Sequence, residues 1–454
     1  MRNKLTRNYL ANLVVFLILI SCIWLRTSAY GDLRLSIGNI ETISYIDSSR
    51  APLLSWEIFA GRRLFTTNII FKAANDTKNC PSIVPSLPAI GLETVRTNQR
   101  CFDNIALLQN ILAILGWSFL AWVTARRMQN PFIKIIAAST IMFFGFTPQV
   151  AEWDSVLSPE SLSLSLFAIT LGLAQEIAFH KSISEGLLNS RAEKLLLVSW
   201  SIVFLVWVFV RDVHLYAIPL TLFLITPLFF LKQNVNLKLL TVTAFVLITF
   251  LLIGFFSARD SLRATRYPLI NALDAYIWPY PKRIEFFKNF GMPERISAQY
   301  QEWADINATK AYGLFLISHP GFVASTLWEY KDQLTSDFIQ PYFTISDIKN
   351  RDTLLAIGEM FHPQSLSVYV IDLLLLFALV VNAGQFRTPS LLAWAWLAIW
   401  FFAIAAVTLI LSFFGDISGT RRHIMPSVEM FRLFLWIFIM PFLDLPIKQL
   451  KQPE

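Results

Sequence analysis

The stretch LLAWAWLAIWFFAIAAVTLILSFF, Leu391–Phe414, decides how the rest of the chain is read. It carries no ionisable residue. Coiled as an α-helix at about 1.5 Å per residue, it covers the roughly 30 Å of a bilayer's hydrocarbon core. Similar runs recur on either side, at Tyr9–Leu25, Leu195–Val210 and Leu239–Phe256. Traced through the chain, the pattern predicts about ten spans of bilayer length. They lie near 9–25, 105–124, 132–146, 161–179, 195–210, 215–231, 239–256, 366–384, 390–414 and 427–446. Of the 454 residues, 55% are hydrophobic and 15% charged, and the mean hydropathy is +0.54. A soluble chain of this size has too little interior to hide so much apolar surface. The expected fold is all-α, a polytopic membrane helical bundle of about 10 transmembrane helices with two large non-cytoplasmic loops. Residues 1–454 are read as a single membrane domain.

The basic N-terminus, Met1–Arg7, runs directly into the first apolar segment. No clean small-x-small cleavage site follows it, Ser28-Ala29-Tyr30 being a weak match, so it reads as an uncleaved signal anchor. The positive-inside rule then places both termini in the cytoplasm, and the membrane is the plasma (inner) membrane if the host is bacterial. Arg126, Arg127, Lys134, Lys181, Arg191, Lys194, Lys232, Lys238 and Arg387 all fall in or beside cytoplasmic connections on this tracing, and the tail carries Lys448 and Lys451. The opposite connection 147–160 has no Lys or Arg but holds Glu152, Asp154 and Glu160. Arg211 and the Arg421-Arg422 pair break the pattern and become site candidates. The formal charge of +7 therefore sets topology and meets anionic lipid; nothing resembles a nucleic-acid groove. Membrane lipids are an expected partner and nucleic acid is not.

Two connections are long, and both emerge on the non-cytoplasmic side: 26–104, the first outer loop, and 257–364, the second. In the first, Trp56–Arg63 and Leu64–Lys72 mix aromatics, aliphatics and cations in the manner of helices lying in the interface. In the second, Ile284–Phe290, Trp303–Leu316 and His319–Tyr330 have helical apolar spacing and predict a small helical cap. Cys80 and Cys101 share the first loop, either as a disulfide in an oxidising compartment or as two thiols. Asn75 and Asn307 begin acceptor sequons.

Charges pressed against span ends on one face are the informative polar residues. Four clusters stand out: Glu41 with Asp47; Glu152, Asp154 and Glu160; Arg211, Asp212 and His214; and Asp416 with Arg421, Arg422 and His423. The carboxylates suit a general base, and the Arg and His groups suit a phosphate. Each cluster also has a plain structural reading. Glu160 after Ser158-Pro159 could serve only as a helix-dipole partner, Arg211-Asp212 as a local ion pair, and Arg421–His423 as a contact to lipid headgroups. The five His are scattered at 180, 214, 319, 362 and 423, without metal-binding spacing, and there is no Walker loop or GxGxxG. No cofactor is implied; a divalent metal is compatible with the chemistry but has no motif.

The pattern resembles the GT-C superfamily of integral-membrane glycosyltransferases, which take sugars from polyprenyl-phosphate carriers on the outer face. The resemblance rests on topology and on three short anchors: Glu41–Tyr45 with Asp47, Trp153–Leu162, and Arg422–Pro426. It implies a polyprenyl-phosphate-linked sugar donor, an acceptor that it leaves open, and inverting hexosyl or pentosyl transfer. It further implies catalytic roles for Glu41, Asp47, Asp154 and Glu160, and donor-phosphate binding by Arg211, His214, Arg421, Arg422 and His423. The usual first-loop acid in that superfamily is an Asp, whereas this chain has Glu41-Thr42. The alternatives are a transporter or flippase for a lipid or small solute, a carrier-linked glycan polymerase or ligase, and a family member that keeps the scaffold without the activity.

A topology reporter fused after Gln129 or Lys232 should report cytoplasm, and one near Ser86 or Ala298 the outer side. A cytoplasmic report at Ser86 would reverse the orientation.

Overall fold

The computed structural model describes residues 2–31, 33–38, 41–74, 100–180, 191–227, 237–263, 268–339, 350–415, 417 and 420–444. The Cys80–Cys101 pairing, the Asn75 sequon and Asp416 lie outside the described residues. In chain order the helices are α1 (Arg2–Tyr30), α2 (Thr42–Ser49), α3 (Trp56–Ala60), α4 (Phe65–Ala74), α5 (Arg100–Arg127), α6 (Pro131–Phe146) and α7 (Pro148–Ala151). After a 3-10 turn at Glu152–Ser155 come α8 (Pro159–His180), α9 (Arg191–Val208), α10 (Ala217–Ile225) and α11 (Leu237–Asp260). The second long connection carries α12 (Ile270–Tyr276), α13 (Pro281–Lys288), α14 (Gln299–Trp303), α15 (Thr309–Ser318), α16 (Pro320–Glu329), α17 (Lys331–Thr335) and α18 (Arg351–Phe361). The chain closes with α19 (Ser367–Phe386), α20 (Pro389–Gly415) and α21 (Thr420–Asp444). Among the described residues the only β feature is an isolated bridge, Ile37 to Val156.

The protein is an all-α polytopic membrane bundle. Seven described helices are long and apolar enough to cross a bilayer, and an eighth crossing is made if α6 and α7 count as one bent span. The remaining expected spans, near 195–210 and 215–231, fall on α9, which opens with Arg191, Glu193 and Lys194, and on the short apolar helix Asp212–Ile225. α8 and α21 are the most enclosed of the long helices, while α11 and α19 turn most of their surface outward toward lipid.

Local chemistry sets the helix ends. Asn130 caps α6 by accepting from the Phe132 amide at 2.9 Å, with Pro131 in the first turn. The Asp444 carboxylate, at the far end of α21, accepts from the Gln129 and Asn130 amides at 2.7 Å each. The 48° bend between α6 and α7 falls at Thr147-Pro148. Thr147 is extended (φ −83°, ψ 159°), as a residue before proline prefers, and Pro148 has no amide to continue the ladder.

Small residues let the central helices meet, as membrane packing requires. A Cβ on Gly116 of α5 would lie 2.6 Å from the Ser165 carbonyl oxygen of α8, and one on Gly145 of α6 would collide with the Trp117 ring. Phe167, Trp207 and Phe401 interlock around the buried core of α8, α9 and α20.

The irregular chain at 152–158 is satisfied from inside the bundle. Gln109 on α5 donates to the Val156 and Asp154 carbonyls at 2.9 and 3.2 Å. Ile37 exchanges 2.8 Å backbone bonds with Ser155 and Leu157, and Thr42 donates to the Leu157 carbonyl at 3.0 Å. Arg26, buried on α1, forms an ion pair with Asp154 and donates to Asn110 at 3.1 Å, while Ser161 donates to the same carboxylate at 2.5 Å. The first connection is thereby stitched to the start of α8.

Removing one partner of a buried ion pair strands the other charge and costs about 3–5 kcal/mol. Arg26→Leu and Asp154→Asn should each destabilise the protein on that scale in detergent unfolding, and the double variant by less than their sum. A loss under about 1 kcal/mol in either single variant would contradict the buried-pair reading.

Candidate functional site

Glu41 occupies the N-cap position of α2, but its side chain makes no cap bond and turns toward α21. One carboxylate oxygen accepts from Arg422 Nη2 at 2.5 Å, and the other lies 3.4 Å from Arg63 Nη2. Arg422 sits in the first turn of α21, and its Nε faces Glu160 Oε1 at 3.5 Å. One guanidinium thus stands between the carboxylate of the first connection and that at the start of α8. Glu160 is fully buried, and neither of its oxygens nor Arg422 Nε has a hydrogen-bond partner.

Arg63, in the connection between α3 and α4, is fixed from three sides. It donates to Ser44 Oγ at 2.6 and 2.9 Å and to the Tyr45 hydroxyl at 3.1 Å, and its guanidinium lies 4.1 Å from the centre of the Tyr45 ring. Burial pushes the Tyr45 hydroxyl up to about 12. Burial works to raise the Glu41 carboxyl too, but Arg422 and Arg63 together outweigh it and hold the group below its ordinary value. Glu41 is therefore ionised at neutral pH.

Arg211, before α10, donates through Nη2 to Nδ1 of His423 at 2.9 Å. A guanidinium can only donate, so His423 accepts at Nδ1 and is a neutral imidazole with its proton on Nε2. The cluster sets the guanidiniums of Arg63, Arg211 and Arg422 against the carboxylates of Glu41 and Glu160, with an excess of positive charge.

The other sequence candidates lie apart from this cluster. Asp47 is exposed on α2 and pairs with Arg50 at 3.4 Å. Asp154 is buried against Arg26 and Ser161. His214 is buried, with Nε2 3.2 Å from Ser163 Oγ and its ring stacked on Trp207. Arg421 reaches the other way, donating to the Asp337 carbonyl at 2.8 Å and to Ser336 Oγ at 3.1 Å. Glu152 is held by Arg351 of α18 at 2.6 and 3.1 Å, and Asp212 by Arg263.

Sequence reasoning missed Arg63, which it read as part of an interfacial helix; α4 instead packs Phe71 fully into the core, while Leu54 and Trp56 stay exposed. It also missed a buried network about two to three turns along α21 from Arg422. Arg432 donates to Glu429 and Asp337 at 2.6 Å each and to the Thr335 carbonyl at 2.6 Å. His362 pairs through Nδ1 with Glu429 at 2.6 Å, and Gln149 donates to Asp337 at 3.2 Å. Charges inside an apolar run were the available signal, since Glu429 and Arg432 interrupt 427–446. Among the described residues, no three His, Cys, Asp or Glu side chains gather as a metal site would require.

No protein-family model matches the chain, and no curated protein matches it. It is similar to solved structures of an oligosaccharyltransferase from Archaeoglobus fulgidus. One of them is AglB in complex with an inhibitory peptide and a dolichol-phosphate: identity is 14%, 94% of this chain and 50% of that chain are covered, and the TM-score is 0.44. A second, tethered to an acceptor peptide containing the NVT sequon through a disulfide, has 12% identity, covers 94% and 49%, and has a TM-score of 0.42. The apo form has 11% identity, covers 95% and 50%, and has a TM-score of 0.37. The chain spans about half the length of those proteins.

A carboxylate held below its ordinary value stabilises the fold fully above the unfolded carboxylate range, near pH 4.3, and that stabilisation fades as pH falls through the lower folded value. The melting temperature of Glu41→Gln should therefore fall less steeply than wild type below about pH 4.3. Parallel acid limbs would show that the Glu41 pairing adds nothing to stability.

Proposed function

We propose that the protein is a membrane glycosyltransferase of the GT-C type, moving a sugar from a polyprenyl-phosphate carrier to an acceptor hydroxyl on the non-cytoplasmic face. Both termini then lie in the cytoplasm. The observation that carries this reading is the Glu41 carboxylate, partly open to solvent, set against Arg422 and Arg63 with Arg211 and His423 beside them. A base and a phosphate clamp are what single displacement at a phosphate-bearing anomeric carbon requires.

In this mechanism the carrier slides in from the bilayer and its phosphate docks on Arg422, with Arg211 and the Nε2–H of His423 adding donors. Glu41 takes the proton of the acceptor hydroxyl as that oxygen attacks the anomeric carbon. The new glycosidic bond forms while the bond from carbon to phosphate oxygen breaks. The electron pair leaves on the phosphate, where the guanidiniums meet the growing charge. Attack opposite the leaving phosphate inverts the anomeric carbon, for a hexosyl or a pentosyl donor alike. Glu160 holds Arg422 from behind. Asp154 and His214 serve as scaffold on this reading, and Asp47 and Arg421 stand outside the reacting groups.

Sugar transfer by reconstituted protein checks these roles. Glu41→Gln should lose about 10²- to 10⁴-fold in turnover, the usual cost of removing one general base, whereas Asp47→Asn should stay close to wild type. Arg422→Ala should weaken donor affinity and turnover together, because its contact to phosphate exists in both ground and transition states. Full transfer by Glu41→Gln would sink the base assignment and favour a carrier-linked ligase.

A further inference from the structure

We propose that Glu41 is a built-in occupant of the carrier-phosphate site: a phosphate monoester must displace its carboxylate from Arg422, and Arg63 receives the carboxylate once displaced. This rests on the function proposed above and adds an order of events to it.

The geometry is that of a group held between two positions. Glu41 is tight on Arg422, at 2.5 Å, and loose on Arg63, at 3.4 Å, so one carboxylate already spans both guanidiniums. Arg63 is prepared to hold it alone. Two bonds to Ser44 and one to the Tyr45 hydroxyl fix its fork, and the Tyr45 ring lies against its face. Ser44 and Tyr45 lie on the first turn of the helix that Glu41 caps, so the transfer needs only side-chain rotation.

Arg422 is prepared to exchange partners. Its Nε faces Glu160 at 3.5 Å without a hydrogen bond, and Glu160 is a fully buried residue in the first turn of α8, unable to follow a ligand outward. A carboxylate offers one negative charge and two oxygens. The phosphodiester of a sugar-loaded carrier offers one charge and two free oxygens, and the phosphate monoester left on the carrier after transfer offers up to two charges and three, enough to take Arg422 together with the neighbouring Arg211 and His423. Displacement has a chemical consequence: with no donor bound, the base is tied to the clamp. Once a carrier phosphate docks, the base stands on Arg63, beside the phosphate rather than on it.

Binding decides the matter without reliance on turnover. Full-length protein in nanodiscs would be titrated with farnesyl phosphate, with farnesol and inorganic phosphate as comparators. Glu41→Gln and Glu41→Ala, each eluting as wild type does on size exclusion, should bind farnesyl phosphate about tenfold more tightly than wild type, the scale of one charge-assisted contact no longer competed for. Farnesol binding should not change. Equal or weaker farnesyl phosphate binding by both variants would overturn the displacement. In that case, loss of binding in Arg422→Ala would leave the carrier-site reading standing. Tightening toward inorganic phosphate alone would overturn the carrier as the displacing ligand. No binding of farnesyl phosphate by any of these proteins would overturn both readings together.

Discussion

The structure depends on how the chain at 152–158, a 3-10 turn and the bend after it, is satisfied. Backbone that leaves a helix within a membrane bundle must find its partners in the protein, because lipid supplies none. Here the partners come from three places in sequence. Gln109 of α5 takes carbonyls, Ile37 pairs with the turn on both sides, and Arg26 of α1 neutralises Asp154 from beneath. Ile37 lies a few residues before Glu41, and Ser161, which donates to Asp154, follows Glu160. Satisfying the turn therefore also fixes where the two acidic side chains stand.

α21 is the counterpart of that turn. Its first turn carries Arg421, Arg422 and His423, and further along it carries Glu429 and Arg432. Ionisable groups on a spanning helix are costly unless they face partners, and these face partners in two different ways. Glu429 and Arg432 belong to a closed network with His362 and Asp337, and with Arg421 they tie residues 335–337 to the helix. Both long connections thus reach the same end of α21. The cluster around Arg422 is less complete: the Glu160 carboxylate has no hydrogen bond, and neither does Arg422 Nε. A satisfied network holds shape, while an incomplete one retains capacity for a ligand.

The contrast also explains which acidic residues stand in the cluster. Asp154 and Glu160 belong to the same short segment and look equivalent in sequence. Asp154 points down into Arg26 and Ser161, and Glu160 points across to Arg422. Glu41 and Asp47 differ likewise. Their separation along α2 turns Asp47 outward to Arg50, while Glu41 at the helix start meets α21.

The amino-acid sequence by itself determined the membrane class, the helical character of the spans and the residue types gathered at their ends, because hydrophobic length and charge density are properties of composition along a line. It marked Glu41, Glu160, Arg211, Arg422 and His423 as candidates on one face. It could not separate them from Asp154, His214 and Arg421, because facing inward, sideways or away depends on helix rotation and on partners distant in the chain. Nor did it single out Arg63 or Arg26, whose significance comes wholly from what they touch. Tertiary structure alone decided that Arg422 would stand between Glu41 and Glu160, because an ion pair spanning residues 41 and 422 exists only once the intervening helices have packed.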